Sequence, residues 1–247
     1  MRLALLLLCC PSLRRRTAEK AIEVVQESHC RSPYGPRTEW EERNYAYWSA
    51  APASEEAMTN ADAGLRALDI AHSKAFLSRF FPAALEANES LGLDAAAGMG
   101  RIASQLLLQF VAGVELVELA PQLASAARLN LGPRLRGQAF VCSLQHFYPK
   151  TAAYDLVWLQ WGLENLTEQE SVIVLKRLKQ SLRSKGWLVV KESVNVVSGR
   201  GVEEEESLEG EYAFYAADAS IVRSRARLLA LLQAAAVSEA REAVKKT

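Results

Sequence analysis

The sequence predicts an α/β fold built on a mainly parallel, doubly wound sheet with helices on both faces. Three observations predict it. Apolar strand patterns alternate with helical patterns from about residue 90 onward, the strands are almost continuously apolar, as in "YDLVWLQW", and a glycine-containing turn, "LDAAAGMGRI", joins the first of these strands to a helix. Alternation favours parallel pairing, and a strand covered on both faces need not carry alternating polar residues.

Each element of this pattern has its own signal. The expected strands are, in chain order, "SLGLDAA", "GVELVEL", "QAFVCSL", "YDLVWLQW" and "WLVVKESV". The expected helices carry apolar residues at helical spacing and are "GRIASQLLLQF", "PQLASAARLNLG", "EQESVIVLKRLKQSLRSKG" and, from Ala217, "ADASIVRSRARLLALLQAAA". The third of these helices ends in Lys-Gly, which is a favourable C-terminal signal.

Two regions precede the glycine turn. Residues 1–37 are expected to be an extension that ends in the helix-breaking stretch "RSPYGPR", and residues 38–247 are expected to be the main domain. The run "MRLALLLLCC" is too short to span a bilayer. It is compatible with a cleaved targeting segment or with an extension that is poorly ordered or locally helical. A helical cap over 38–85 opens the main domain, and an aromatic group marks its first helix: Trp40, Tyr45, Tyr47 and Trp48.

Composition excludes several classes of function. The 247 residues include 29 Lys plus Arg and 29 Asp plus Glu, so the chain lacks the overall positive charge of a non-specific nucleic-acid binder. The cysteines, Cys9, Cys10, Cys30 and Cys142, do not have the paired spacing of a metal site and are expected to be free thiols. We therefore expect a monomer in a reducing compartment, cytoplasmic or nuclear, with no metal, nucleic-acid or membrane partner.

The glycine turn indicates a ligand at the carboxyl end of the first strand of the sheet. Ligands of open parallel sheets bind at this edge, and Gly98 and Gly100 allow positive φ and close approach of a ligand to the backbone. Glu118 ends the next strand, where a carboxylate can accept hydrogen bonds from two ribose hydroxyls. This pattern fits nicotinamide nucleotides and S-adenosylmethionine alike, but the sequence "AAGMGRI" lacks the third glycine of a pyrophosphate-binding turn and favours a ligand without pyrophosphate.

Several segments together resemble the protein α-N-terminal methyltransferases, which belong to the seven-strand, S-adenosylmethionine-dependent class. They are "LDAAAGMGRI", "VELVEL", "CSLQHFYPKTAAYDLVWLQWGLENLTEQE", "LKRLKQSLRSKGWLVVKES" and the segment from Ala217, and the resemblance covers about residues 39–240. It implies S-adenosyl-L-methionine as cofactor and methyl transfer to the α-amino group of protein N-termini that begin X-Pro-Lys or X-Pro-Arg.

The resemblance also implies roles for individual residues. The implied cofactor-binding residues are Trp48, Ala96, Gly98, Gly100, Arg101, Glu118, Leu119, Ala120, Leu144, Gln145 and Gln160, with Arg101 meeting the carboxylate of the cofactor. Trp161 would form a wall of the peptide channel, with Asn165 and Ser193 also in the substrate site. The implied catalytic positions are Asn165, Ser193, Glu209 and Glu211, and Tyr47 with Trp48 would close over the site.

This sequence departs from the family at several of these positions. Ala96 replaces the first glycine of the turn, Glu118 an aspartate, Asn165 a histidine and Ser193 an asparagine, and the glycine-rich substrate loop aligns with "NADAG" at 60–64. The acidic run 203–211 is either part of the substrate site or a solvated loop. Two alternatives to an active N-terminal methyltransferase therefore stay open: a cofactor-fold binding module with weak or no catalysis, and a methyltransferase for another amine.

The C-terminal segment predicts an unusual sheet edge. The resemblance implies a final antiparallel hairpin, but only "VSEAREAVKKT" follows the helix that ends near Ala236. We therefore expect that hairpin to be incomplete, without a seventh strand, which would leave an apolar edge exposed. Either another segment, such as the apolar run 3–10, covers that edge, or the protein self-associates.

Overall fold

The computed structural model describes residues 2–9, 38–59, 63–81, 89–194 and 212–236. Within these ranges, one sheet contains eight strands: β1 (Arg2–Cys9), β2 (Leu91–Ala95), β3 (Gly113–Glu118), β4 (Leu135–Val141), β5 (Tyr154–Gln160), β6 (Leu182–Val194), β7 (Tyr212–Tyr215) and β8 (Ser220–Arg223). Their order is β4-β3-β2-β5-β6-β8-β7, with β1 paired to β6. All neighbours are parallel except β7 and β8, so the predicted mainly parallel sheet is confirmed.

Seven α-helices accompany these strands in the described ranges. They are α1 (Glu39–Ala50), α2 (Glu55–Met58), α3 (Ala63–Phe80), α4 (Arg101–Gln105), α5 (Pro121–Leu131), α6 (Glu168–Gln180) and α7 (Arg225–Ala236). Thr167 caps α6 through a reciprocal pair of hydrogen bonds with Glu170, which satisfies two backbone donors at the helix start. No helix in the described part of the chain is long and apolar enough to cross a membrane.

Strand β5 shows why the sheet needs helices on both faces. All of its residues are buried, and its apolar residues divide between two hydrophobic clusters. Val157 and Leu159 belong to one cluster, with residues of α6 and α7, whereas Leu156 and Trp158 belong to the other, with residues of α3, α4 and α5. The continuous apolar pattern of "YDLVWLQW" thus follows from burial on both sides.

The N-terminal strand covers one edge of β6. Strand β1 runs parallel to β6 from the Arg2–Trp187 pair to the Cys9–Val194 pair, while β5 pairs with the opposite edge of the same stretch. Of the two outcomes expected for an exposed apolar sheet edge, this pairing matches the one in which the apolar run 3–10 covers that edge. Residues 2–9 therefore pair with the sheet, while residues 10–37 lie outside the described residues.

Several element boundaries differ from the prediction: the helix expected over 100–110, for example, ends at Gln105, and the strand expected over 138–144 is Leu135–Val141. The helix expected from Ala217 begins instead at Arg225, because residues 220–223 form β8 and pair antiparallel with β7. The helix expected to run to Gly186 ends at Gln180, and β6 begins at Leu182. A short hairpin thus precedes α7, whereas the tail in which a seventh strand was expected to be missing, residues 237–247, lies outside the described residues.

Candidate active site

A cleft of about 870 Å³ opens at the carboxyl ends of β2, β3 and β5, where an open parallel sheet binds its ligands. It collects most of the residues that the sequence predicted. Those predicted residues that line it are Trp48, Ala96, Gly98, Arg101, Glu118, Leu119, Leu144, Gln145, Gln160, Trp161 and Asn165.

The turn after β2 has the backbone conformation that its glycines predicted. Ala96, Gly98 and Gly100 all have positive φ, at 71°, 56° and 79°. A methyl group on Gly98 would lie 2.8 Å from the sulfur of Met58, and one on Gly100 would lie 3.0 Å from the Cβ of Ala127. Gly98 lines the cleft. Gly100 does not line it, and its lack of a side chain allows α4 to pack against α5.

Glu118 fixes this turn from the end of β3. Its carboxylate accepts the backbone N–H of Gly98 at 2.7 Å and the backbone N–H of Ala120 at 2.8 Å. Burial raises the pKa of Glu118, although these hydrogen bonds oppose the shift. Ala120, predicted to bind the cofactor, is buried and is not among the residues that line the cleft, and its backbone N–H donates to Glu118.

Arg101 and Gln160 meet at the floor of the cleft. Arg101 Nη2 lies 2.5 Å from Asp69 Oδ2, and its guanidinium carbon lies 5.8 Å from the centre of the Trp161 ring. Gln160 accepts a hydrogen bond from the Trp158 indole at 3.0 Å and donates to Asp69 at 3.0 Å. The polar residue at the end of an apolar strand is therefore fully partnered, as its burial requires.

Trp161 is held towards the cleft by a strained backbone. Its φ is 56°, an uncommon value for a bulky residue. Glu192 stabilises the turn that follows, because one of its oxygens accepts the backbone N–H groups of Gly162 at 3.1 Å and Leu163 at 3.0 Å. Burial and the neighbouring carboxylate of Glu164 raise the pKa of Glu192.

Asn165 and the hairpin turn meet beside the cleft. The carbonyl of Asp218 accepts hydrogen bonds from Asn165 Nδ2 at 3.4 Å and from Asn44 Nδ2 at 2.9 Å. Asn44 and Asn165 both line the cleft, and Asp218 is buried directly behind them. The hairpin therefore connects α1 to the predicted substrate side.

Helix α1 closes one side of the cleft. Trp48 lines it, and its carbonyl accepts a hydrogen bond from Gln122 Nε2 of α5 at 2.7 Å. Tyr47 contacts the Trp48 ring edge-on, with 5.2 Å between the ring centres, but does not line the cleft itself. Of the predicted aromatic pair, Trp48 faces the cleft and Tyr47 supports it.

Besides Gly100, Ala120 and Tyr47, three further predicted residues are not at the cleft or cannot be placed. Ser193 lies near the end of β6 and is not among the described residues that line the cleft. Glu209, Glu211 and residues 60–62 of the "NADAG" segment lie outside the described residues.

Four polar residues in or around the cleft were not predicted from the sequence: Asn44, Asp69, Glu192 and Asp218. Asp69 had one usable signal, since a carboxylate among the apolar positions of a helix is expected to have a buried partner.

The donor set of the cleft fits S-adenosylmethionine. Arg101 is 5% exposed and lines the cleft, and its Nη1 has no hydrogen-bond partner among the residues that the structure describes, so its guanidinium retains a charged donor for an anionic group such as the carboxylate of the cofactor. Glu118 presents a carboxylate at the position where ribose hydroxyls are bound in this type of fold. Apolar side chains complete the wall at Leu119, Leu123 and Leu144, as an adenine ring requires.

Comparison with known families decides the class of enzyme. The family model described as AdoMet dependent proline di-methyltransferase matches residues 36–247. The chain belongs to this family. This methyltransferase is 35% identical over 152 residues to N-terminal Xaa-Pro-Lys N-methyltransferase 1 of Ailuropoda melanoleuca, covering 60% of the chain and 68% of that relative. The corresponding protein of Homo sapiens is 34% identical over the same coverage.

Solved structures confirm the fold of this methyltransferase. A SAM-dependent methyltransferase from Leishmania major superposes with a TM-score of 0.69 at 23% identity, covering 79% of this chain and 72% of the other. Geranyl diphosphate C-methyltransferase from Streptomyces coelicolor, solved with S-adenosyl-L-homocysteine, gives a TM-score of 0.56 at 16% identity, covering 81% and 79%. The chain is thus an S-adenosylmethionine-dependent methyltransferase with the Rossmann-like fold of that class.

Proposed function

We propose that this methyltransferase modifies the α-amino group of protein N-termini that begin X-Pro-Lys or X-Pro-Arg. The observation that carries the proposal is the position of Trp161, whose positive φ places an indole wall beside Arg101 and Gln160. An aromatic face suits the proline ring at the second position of such a substrate. Family membership and the relatives named for Xaa-Pro-Lys termini support the same substrate class.

The cofactor, when bound, supplies a methyl group on a positively charged sulfur. The residues of this chain must hold the cofactor and align the amine. Arg101 and Glu118 provide a charged donor for its carboxylate and an acceptor for its ribose hydroxyls. Trp48 and Trp161 limit access of water from two sides, which favours a direct displacement between the two reactants.

The attacking amine must be neutral. A free chain terminus has a pKa of about 8, so roughly a tenth is neutral at pH 7. Asn165 can orient this amine from the cleft wall, but an amide has no basic atom that would take its proton at neutral pH. Asp218 is buried behind Asn165 and Asn44: its backbone carbonyl accepts hydrogen bonds from both of them, and its carboxylate accepts one from Ser220 Oγ at 2.8 Å. Glu209 and Glu211 lie outside the described residues and stay predictions, both as catalytic positions and for holding the Lys or Arg at the third position.

Mass spectrometry of a peptide tests the proposed substrate. A hexapeptide that begins Ala-Pro-Lys is expected to gain methyl groups in the presence of S-adenosylmethionine, and its N-acetylated form is the control that must not. Calorimetry with S-adenosylhomocysteine shows in parallel that the cofactor site is intact. Cofactor binding without methylation of any peptide or small amine would indicate a binding module, whereas methylation of small amines alone would indicate a different substrate.

Substitution of Trp161 tests the proposed substrate site more specifically than the peptide assay. Trp161→Ala is expected to raise the peptide KM about tenfold or more, because the proline loses its aromatic wall, while the KM for the cofactor changes by less than threefold. Trp161→Phe keeps a ring and is the matched control, expected to recover most of the loss. If Trp161→Ala changes neither KM, Trp161 is not a substrate wall.

A further inference from the structure

A buried polar network lies beneath the cleft and joins α3 to the sheet. Asp69 of α3 accepts hydrogen bonds from Arg101 at 2.5 Å and from Gln160 at 3.0 Å. Lys191 of β6 donates to the Asp69 carboxylate, to the Asp69 carbonyl at 3.1 Å and to Ser73 Oγ at 2.6 Å. The side chains of Asp69 and Lys191 are fully buried.

The members of this network differ in whether they line the cleft. Arg101 and Gln160 line the cleft, whereas Asp69, Ser73 and Lys191 are not among its described lining residues. Asp69 therefore lies between Lys191 and Arg101, and Lys191 would not contact a ligand in the cleft directly. It can affect the cofactor only through Asp69 and through its charge.

Charges in the network do not balance. Two cations, Arg101 and Lys191, share the single carboxylate of Asp69 among the described residues that hydrogen-bond to either of them. Burial would raise the pKa of Asp69, but Lys191 and Arg101 together lower it below its ordinary value, so Asp69 is ionised. Burial lowers the pKa of Lys191, and its ion pair and hydrogen bond with Asp69 oppose that shift and favour the charged form. Asp94 is the other carboxyl group that interacts with Arg101, but burial raises its pKa to about 7 and its Oδ2 accepts the N–H of Ala103.

This imbalance leaves one buried positive charge beside the cleft. An uncompensated buried charge is costly unless it finds a counterion. Arg101 Nη1 is a buried network atom without a hydrogen-bond partner among the described residues, and other parts of Arg101 line the cleft, so a bound carboxylate would have to reach Nη1 from there. A carboxylate bound there would neutralise the network.

We propose that Lys191 is a positioning residue for the cofactor. By pairing with Asp69 it leaves Arg101 Nη1 and one net positive charge for the carboxylate of the methionine moiety. The proposal deepens the function assigned above, since it concerns the same cleft, but it requires only cofactor binding and no peptide substrate.

Lys191→Met tests this by removing the charge while keeping the length of the side chain. Asp69 and Arg101 then form a balanced pair, and the affinity for S-adenosylhomocysteine measured by calorimetry is expected to fall about tenfold or more. The affinity for 5′-methylthioadenosine, which shares the adenosine and sulfur but lacks the amino-acid carboxylate, is expected to change by less than threefold. Equal losses for the two ligands, or no loss for S-adenosylhomocysteine, would overturn the proposal.

A second variant separates charge from packing. Lys191→Met combined with Asp69→Asn restores a single net positive charge, carried by Arg101, and is expected to recover S-adenosylhomocysteine affinity relative to Lys191→Met alone. A role limited to packing predicts the opposite, because two disruptions of the buried network would add. Circular dichroism and the unfolding midpoint verify that both variants are folded, and failure of peptide methylation would leave these binding results unchanged.

Discussion

Single residues of the cofactor turn show how much chemistry a short motif predicts. Glycine permits the positive φ values of Gly98 and Gly100, and Ala96, which stands where the family has a glycine, also has a positive φ. The separate uses of the two glycines could not be predicted, because the contacts of Gly100 with Ala127 depend on how α5 packs. Asp69 was missed for the same reason: its partners Arg101 and Lys191 are 32 and 122 positions away in the chain.

Ala96→Gly is expected to stabilise the protein. A non-glycine residue in the left-handed region costs about 1–2 kcal/mol, and glycine removes that cost at the expense of a more flexible unfolded chain. Urea unfolding should therefore show a gain of about 0.5–1 kcal/mol. Ala97→Gly, at a neighbour without positive φ, is the control and should lose stability by a similar amount. A loss at both positions would contradict the strain assigned to Ala96.

Asp94 is expected to make stability depend on pH. Burial raises the pKa of Asp94 from 3.8 to about 7, so the folded state binds its proton more tightly than the unfolded state. The stabilisation is fully present below pH 3.8 and is lost as the pH rises towards about 7.

Asp94→Asn keeps an acceptor for the Ala103 N–H and removes the titration. The difference in unfolding free energy between wild type and this variant should change between pH 4 and 7, with the wild type losing up to about 1.4 kcal/mol per pH unit relative to the variant. Parallel stability curves for the two proteins over this range would show that Asp94 does not titrate there.

At the scale of elements, the central strands and the helices between them were predictable, because burial requires apolar runs in the strands and apolar residues at helical spacing in the helices. The centre of strand β5, residues 156–159, is apolar since both of its faces are covered, and the capping pair Thr167 and Glu170 marks the start of α6. Strand β8 was mistaken for the start of a helix, because the alanine-rich stretch before α7 has high helix propensity. Pairing with β7 and a turn with Ala219 at φ 50° override that propensity.

The pairing of β1 with β6 leads to a prediction about stability. Strand β1 pairs along residues 187–194 of β6, so its removal leaves one edge of a buried strand without backbone partners. Deletion of residues 1–9 is expected to lower the unfolding midpoint by about 5 °C or more and to promote self-association. Light scattering and a thermal scan measure both effects. A truncated protein that is equally stable and monomeric would contradict a structural role for β1.

Across the whole molecule, the cap and the sheet are joined at the cleft by polar contacts. Helix α1 reaches the hairpin turn through Asn44 and Asp218, and α3 reaches Arg101, Gln160 and Lys191 through Asp69. Cofactor and substrate would therefore bind where the cap meets the carboxyl ends of the strands. The motif predicted this location from the sequence. The polar contacts that join the two parts could not be predicted, since each one depends on tertiary packing.

The position of the transferred methyl group tests the central claim most directly. The enzyme is incubated with an Ala-Pro-Lys peptide and S-adenosylmethionine that carries a deuterated methyl group, and the product is fragmented in the mass spectrometer. We expect every label on the N-terminal fragment ion that contains the α-amino group. Label on the lysine side chain, or an unlabelled peptide from protein that binds the cofactor, would contradict the assignment of N-terminal methyl transfer.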